Sequence, residues 1–375
     1  MLKGINMQLY IGPAVPIPAP REVIEALEQV QVQVNGGDTQ SGFELTFSLS
    51  NRSPLHTLFL LTGGSSIPIM RVVIVAMMGG NAEVLMDGVM THHEVRPAGG
   101  GKSNLVVKGK DLSALMDYIE LDGIPFPAMP PVVRVLAVLA KYAAFGVIPI
   151  TIPSVVEDIP IPIERIPRQQ GTDYAYVKQL AHEAGYVFYI DPGPLPGTSR
   201  AYWGPEIKVG APQPALNTDM DAHTNVESLS FSFDKEAKEM PVVFIQNQQT
   251  KIPIPIPIPD ITPLNPPLGA IPPLPPKLKF LSNTAKQSPL SAVMTGLAYA
   301  SQHADAVTGT GSLDVVRYGR ILKSRQLVGV RGAGAAFDGL YYVKSVTHAI
   351  KHGEYKQNFT LVRNGLLSTV PRVPA

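Results

Sequence analysis

Apolar and polar residues alternate along the first hundred positions in the way a half-buried strand requires. Phe43, Leu45, Phe47 and Leu49 alternate with polar partners, so one face is buried and the other wet. Leu27–Val34, Gly42–Ser50, Met70–Met77, Ala82–Glu94 and Ser103–Gly109 read as strands, separated by Asn-Gly-Gly, Gly-Gly-Asn and Gly-Gly-Gly turns. Strands spaced this closely predict a small antiparallel barrel or sandwich over residues 1–110. Asp111-Leu-Ser-Ala-Leu-Met-Asp-Tyr then opens a short helix and leaves it.

The period changes next. Pro131–Phe145 reads as a helix with proline in its first turn, where a missing N–H costs nothing. Within Thr172–Ile190, Tyr176, Val177, Leu180 and Ala184 recur at helical spacing, and Asp173 stands where it can cap the first turn. Gly185 ends that helix, and Tyr186-Val-Phe-Tyr-Ile is strand-like. Taken alone this is a helix–strand unit of any domain. Further on, Val226, Ser228, Ser230 and Ser232 alternate against Glu227, Leu229, Phe231 and Phe233, a strand that Val242–Gln248 continues. Ala285–Thr308 is a loose small-residue stretch, and Leu313–Arg363 supplies about four further strands. The expected fold is α+β, mainly β. A first barrel unit covers 1–110, an α/β insertion covers 111–215, and 216–250 with 280–375 makes a second barrel unit interrupted by a Pro-rich segment at 251–279.

With 375 residues the chain has room for two or three domains, and 45% hydrophobic residues against 16% charged ones leave ample apolar surface for a core. A net charge of +1 argues against non-specific binding to nucleic acid or acidic membranes. Zero cysteines exclude disulfides and thiolate metal sites. The chain does not open on a basic region followed by an apolar core, so synthesis in a cytoplasm without a signal peptide is expected. Its longest apolar stretch, Val132–Val156, carries Arg134, Lys141, Pro149 and Pro153, which suits no spanning helix. Proline is the outlier, at 37 residues, much of it in Pro13–Pro20, Pro149–Pro167 and Pro253–Pro276. In Ile252–Pro259 every second residue lacks a donor, which predicts polyproline II rather than a ladder strand. Such a segment is either an exposed linker or, given its isoleucines, one lying in a groove of its own or a neighbouring subunit.

Candidate chemistry fails position by position. Gly99-Gly-Gly-Lys102-Ser103 has Arg96 where a phosphate loop needs glycine, and strand rather than helix follows it. Gly332-Ala-Gly334-Ala-Ala-Phe337 has phenylalanine where a dinucleotide loop needs Gly or Ala, so Arg331–Gly339 reads as a connecting loop. His92 and His93 are neighbours on a strand and point to opposite faces. His182-Glu183 begins like a zinc-protease motif, but Tyr186 stands where the second histidine belongs. Glu157-Asp158 sits in a proline-rich passage with nothing to raise one pKa. No catalytic, cofactor-binding or metal residues are expected.

The order of several segments carries a resemblance. Thr172–Ile190 resembles the central part of the late control D proteins of phage tails, relatives of the baseplate hubs of contractile tails and of the hub part of type VI secretion spikes. Ser41-Gly-Phe-Glu-Leu-Thr-Phe is similar to the family's start. Arg317–Leu322, Leu327–Gly334, Asp338–His348 and Tyr355–Arg363 are similar to its last barrel. His348 belongs to that last pattern and is expected to serve packing or an interface.

The resemblance implies a structural hub rather than an enzyme, with two related barrels per chain. A homotrimer would then present six barrels to a hexameric inner tube, with a separate spike below, baseplate wedge proteins alongside, and no cofactor or nucleic acid. It implies residence in a phage tail or tail-like particle. No repeat between the two halves is visible in the sequence itself. The rivals are a cell-wall hydrolase and a β-rich adhesin or binding module.

Overall fold

The computed structural model describes residues 5–37, 39–49, 55, 59, 69–98, 102–154, 160–163, 166–246, 252–259, 265–274, 277–282 and 289–370. Gly99–Gly101 of the glycine turn and the Glu157-Asp158 pair lie outside the described residues. Of the described residues 48% are strand and 18% helix, an α+β fold dominated by β structure.

In chain order, β1 (Ile5–Gly12), β2 (Ile17–Pro18) and α1 (Arg21–Glu25) precede β3 (Leu27–Asn35), β4 (Gly42–Leu49), β5 (Arg71–Met78), β6 (Asn81–Ala98) and β7 (Lys102–Asp111). A 3-10 turn at Leu112–Asp117 leads to α2 (Pro131–Ala140), β8 (Val147–Thr151), α3 (Asp173–Ala184), β9 (Val187–Pro192), β10 (Ser199–Gly204) and β11 (Gln213–Asn217). Then come β12 (Ser228–Phe233), β13 (Glu239–Gln246), β14 (Pro253–Pro257), β15 (Gly269–Ile271), β16 (Lys277–Phe280) and α4 (Pro289–Gln302). Last are β17 (Val307–Asp314), α5 (Val315–Tyr318), β18 (Leu327–Arg331), β19 (Gly339–Lys351), β20 (Glu354–Arg363) and β21 (Leu366–Ser368).

The two expected barrels are not separate closed sheets. One thirteen-stranded sheet runs β12-β17-β20-β19-β3-β4-β7-β6-β5-β1-β2, with β18 and β11 joined on at β19, and no sheet closes into a barrel. The reason is a long-range pairing: β3 runs antiparallel to β19 from Gln29↔Lys351 to Asn35↔Ser345, fusing the ladders of the two halves. A single core follows, in which Leu45 and Phe47 of the first half join Tyr341, Phe359 and Leu361 of the second. The alternation read in Gly42–Leu49 is the burial pattern observed.

A second core collects residues between the 3-10 turn and β10. Val135, Val138 and Leu139 of α2 and Val177 and Leu180 of α3 cover one face of the β8-β10-β9 sheet, around fully buried Trp203. Here two sequence readings need correction. Helix α2 stops at Ala140, and Ala143–Phe145 is a separate 3-10 turn closed by Gly146 at φ 73°. The cap of α3 is Thr172, whose side chain accepts from the Ala175 N–H. Asp173 is instead buried, accepting from Lys141 Nζ at 3.0 Å, Tyr142 Oη at 2.8 Å and Gln169 Nε2 at 2.7 Å. A carboxylate holding three donors joins the helices better than it would cap one.

The third correction is the largest. The strand expected at Val242–Gln248, of which 247 and 248 lie outside the described residues, does not continue the preceding one; β13 leaves the main sheet and pairs antiparallel with β14 and parallel with β16. The Ile-Pro repeat is thus a ladder strand. Backbone N–H groups along a strand point alternately to its two sides, so prolines at every second position cost one edge only. Ile254 and Ile256 oppose Ile245 and Val243, and Ile258 donates its N–H to the Pro241 carbonyl at 2.9 Å. The isoleucine side chains consequently share one face, and Ile258 is buried with Val243 and Ala292. Ile252 and Ile254 stay exposed, while the Ile256–Ile258 end of that face is covered by α4, a helix where a loose stretch was expected. Its small residues permit the approach: a Cβ on Gly296 would fall 2.7 Å from Ile258 Cγ1.

Among the described residues no helix is long and apolar enough to cross a membrane.

Candidate functional site

A cavity where the sheets meet and the open end of the large sheet both combine accessibility with specific chemistry. The cavity lies against the outer face of the β8-β10-β9 sheet, where Tyr189 and Tyr202 stack with centroids 5.0 Å apart. Leu327 and Tyr342 form the opposite wall, the loop at 205–211 borders one side, and the volume of this open cavity is about 450 Å³. That volume falls within the range of small-ligand sites.

Its charges are already engaged by the chain itself. Arg325 lies over the Tyr189 ring at 3.9 Å and donates to the Asp191 carboxylate and the Asn35 carbonyl. Lys208 reaches Asp305 at 3.0 Å and Glu206 at 3.7 Å. Burial raises the pKa of Glu206, while the Lys208 charge pulls it back. Burial works against the charge of Lys208, yet Asp305 and Glu206 together outweigh it and hold its pKa above the ordinary lysine value. The lining offers no serine, cysteine or histidine to serve as nucleophile or base. The arrangement is a joint: it ties Asn35 of the first half, Tyr189 and Asp191 of the insertion, and Arg325 and Tyr342 of the second half.

The residues weighed for chemistry are scattered. His92 and His93 sit on β6 with His92 exposed, and His182 and Glu183 are exposed at the end of α3. Among the described residues no three His, Asp or Glu side chains gather as metal ligands. Gly332, Gly334 and Gly339 stand at φ 85°, 89° and 132° in the connection from β18 to β19. A Cβ on Gly339 would fall 2.8 Å from Arg363 Nη1, whose guanidinium is buried while donating to the Gly365, Asp338 and Ala336 carbonyls. Backbone geometry accounts for these glycines. Replacing Gly339 with valine is expected to cost about 1 to 2 kcal/mol in urea unfolding, with ATP or NAD leaving the melting temperature unchanged. A nucleotide-induced shift would contradict this account.

His348 lies in the core, with Nδ1 2.8 Å from the Tyr355 hydroxyl. Burial pushes its pKa down to about 3 from an ordinary 6.5. The unfolded chain takes up this proton below 6.5 while the folded chain does not until about 3. The stability is therefore fully present above pH 6.5 and lost as pH falls towards 3. Going from pH 7 to pH 5 is expected to remove about 2 kcal/mol on this account. The His348→Gln variant should lack that share, and an equal loss in both proteins would refute it.

The open end is β12. Asp234 donates to the Ala306 carbonyl, so with the strand period Ser228, Ser230 and Ser232 turn their backbone groups to β17. Leu229, Phe231 and Phe233 turn theirs outward, and among the described residues no strand receives them. Ser228 meets Ser312 at 2.9 Å and Ser230 meets Thr310 at 3.0 Å on the exposed face. On the other face Phe231 stacks on Phe337 and packs against Tyr341. The serine–aromatic alternation was visible in the sequence; that this strand ends the sheet was not.

No family model matches this sequence, and no curated protein matches it. Solved structures do. The tail protein from Neisseria meningitidis MC58 aligns over 97% of this chain and 98% of its own, with 14% identity and a TM-score of 0.63. The 43 kDa tail protein of prophage MuSo2 from Shewanella oneidensis aligns over 96% and 98%, with 12% identity and a TM-score of 0.61. An E. coli type VI secretion component, described as structurally similar to T4 bacteriophage tail proteins gp27 and gp5, aligns over 93% and 77%, with 10% identity and a TM-score of 0.52. The fold is that of phage tail proteins and type VI hub-like proteins. At these identities the likeness concerns fold.

Proposed function

We propose that this chain is the structural baseplate hub of a contractile injection system or phage tail. It acts as a homotrimer that seats the hexameric inner tube, holds a separate spike beneath, and contacts baseplate wedge proteins. What supports this most is alignment with two tail proteins across nearly the full length of both partners. The charged groups at the cavity, Glu206 and Arg325, are engaged by Lys208 and by Asp191 and Asn35 of the same chain, which fits a protein that works by geometry.

The physical role is symmetry matching. Each chain contributes two β halves, the strands around β3–β7 and those around β17–β20, so three chains offer six related surfaces to a six-fold ring. The two halves are held at a fixed separation because β3 and β19 share one ladder. The test is symmetry-resolved imaging of the assembled particle. Three copies of this chain at the tube base are expected; one or six copies, or a pure chain that turns over peptidoglycan, would sink the reading.

A further inference from the structure

We infer that β12 is an edge at which this protein takes on a further strand, and that the strand is β1 of a second copy. The inference rests on the ring assembly proposed above and specifies how its subunits join. A sheet end left unpaired is a template for any extended chain, and proteins blunt such ends with short strands, prolines, lysines or covering elements.

Nearly every other sheet end here is blunted. β14 turns Pro253, Pro255 and Pro257 to its open side, so that edge carries no N–H. β8 has Pro149 at its centre, and Ile152 donating to the Trp203 carbonyl places the isoleucine backbone groups inward and the proline outward. β16 itself carries Lys277 and Lys279, and β15 and β21 are three residues each. The side chains of β9 are largely buried, with Phe188 and Ile190 in the second core. β12 has none of these devices: Ser-Leu-Ser-Phe-Ser-Phe contains no proline and no charge.

A strand added to β12 must continue two surfaces. One face needs uncharged polar side chains beside Ser228, Ser230 and Ser232; the other needs apolar ones beside Leu229, Phe231 and Phe233, which are only half-buried. β1 has that pattern. Asn6 and Gln8 are exposed and uncharged, with Gln8 bonded to the Tyr10 hydroxyl, while Met7, Leu9 and Ile11 pack on the core. β1 also lies near the opposite end of the same sheet. β2 pairs with it only at Tyr10 and Ile11, and Leu9 accepts from Ala19, which leaves the backbone groups of Ile5 and Met7 outward without a partner strand among the described residues. Joining β12 of one copy to β1 of the next keeps both cores on the same side. Such a head-to-tail contact is heterologous, and it closes into a ring when the rotation fits.

The absence of cysteine makes a direct test clean. Gln8→Cys is combined in turn with Ser228→Cys, Ser230→Cys and Ser232→Cys, because the register between copies is open. Particles are assembled from each double variant and oxidised. At least one pair is expected to give covalent trimers on a denaturing gel, with neither single-cysteine variant doing so. Leu229→Pro, which removes one outward N–H and leaves the β17 ladder intact, is expected to abolish incorporation while the monomer keeps its circular dichroism. If no pair cross-links, or linking stops at dimers, in particles whose hub still shows three copies, the strand pairing is wrong and the hub reading stands. If the particles lack three copies, both fall.

Discussion

Replacing Asp87 with asparagine is expected to destabilise the folded chain by about 3 to 5 kcal/mol, because it strands a buried guanidinium. Arg71 of β5 and Asp87 of β6 form a pair whose side chains are 2% and 0% exposed, with Nη2–Oδ2 at 2.6 Å and Nε–Oδ1 at 2.7 Å. Arg71 Nη1 also donates to the Ala14 carbonyl at 2.9 Å and Nη2 to the Gly197 carbonyl at 3.0 Å, while Ser199 donates to Asp87 at 3.1 Å. The pair therefore fastens the β9–β10 turn of the insertion to the large sheet. Its net contribution over an apolar pair of similar shape is small, since two charges have been taken out of water. The double variant Arg71→Met with Asp87→Leu is accordingly expected to lose less than Asp87→Asn alone. Urea unfolding of the three proteins separates these outcomes, and amide exchange at Gly197 and Thr198 should quicken in Asp87→Asn. A loss below about 1 kcal/mol in that variant would mean that water reaches the guanidinium and the latch is not closed.

What was legible in the sequence is what depends on neighbours along the chain. The Phe43–Leu49 alternation, the glycine that ends α3 at φ 74° and the half-buried Ser228–Phe233 strand all follow from local period and backbone freedom. The failures share a cause. The fusion of both halves through β3 and β19 joins residues more than three hundred positions apart, and no local pattern records it. Helix α4 does carry an apolar stripe, Val293, Met294 and Leu297, but the small residues beside it, Ala292 and Gly296, serve close contact with Val243 and Ile258 rather than flexibility. The Ile-Pro repeat was misread for a subtler reason: counting lost donors ignores which side of the strand they leave from. The cavity was invisible for the same reason as the fusion. Tyr189, Glu206, Arg325 and Tyr342 are unremarkable in their own segments and meet only in the fold.

Arg325 is where that long-range logic is most exposed to test. It is a non-glycine residue at φ 60°, a backbone state that an arginine reaches only when its surroundings hold it there. Those surroundings are three: the Tyr189 ring below the guanidinium, the Asp191 carboxylate, and the Asn35 carbonyl from the first half. The side chain is 7% exposed, so these contacts are shielded from water. Replacing Arg325 with alanine is expected to cost about 2 to 4 kcal/mol, through lost charge-assisted hydrogen bonds and a carboxylate left partly buried. Lysine should rescue little, because an ammonium cannot stack flat on the ring and fork to two acceptors at once. Glycine gives the decisive comparison. If the positive φ is strain held in place by the contacts, Arg325→Gly should be milder than Arg325→Ala by about 1 kcal/mol, since only the backbone penalty differs between them. Chemical denaturation of the alanine, lysine and glycine variants side by side reads both effects. Should glycine prove no better than alanine, the backbone at this joint is unstrained; should alanine match the wild type, the cavity wall is not what holds the three parts together.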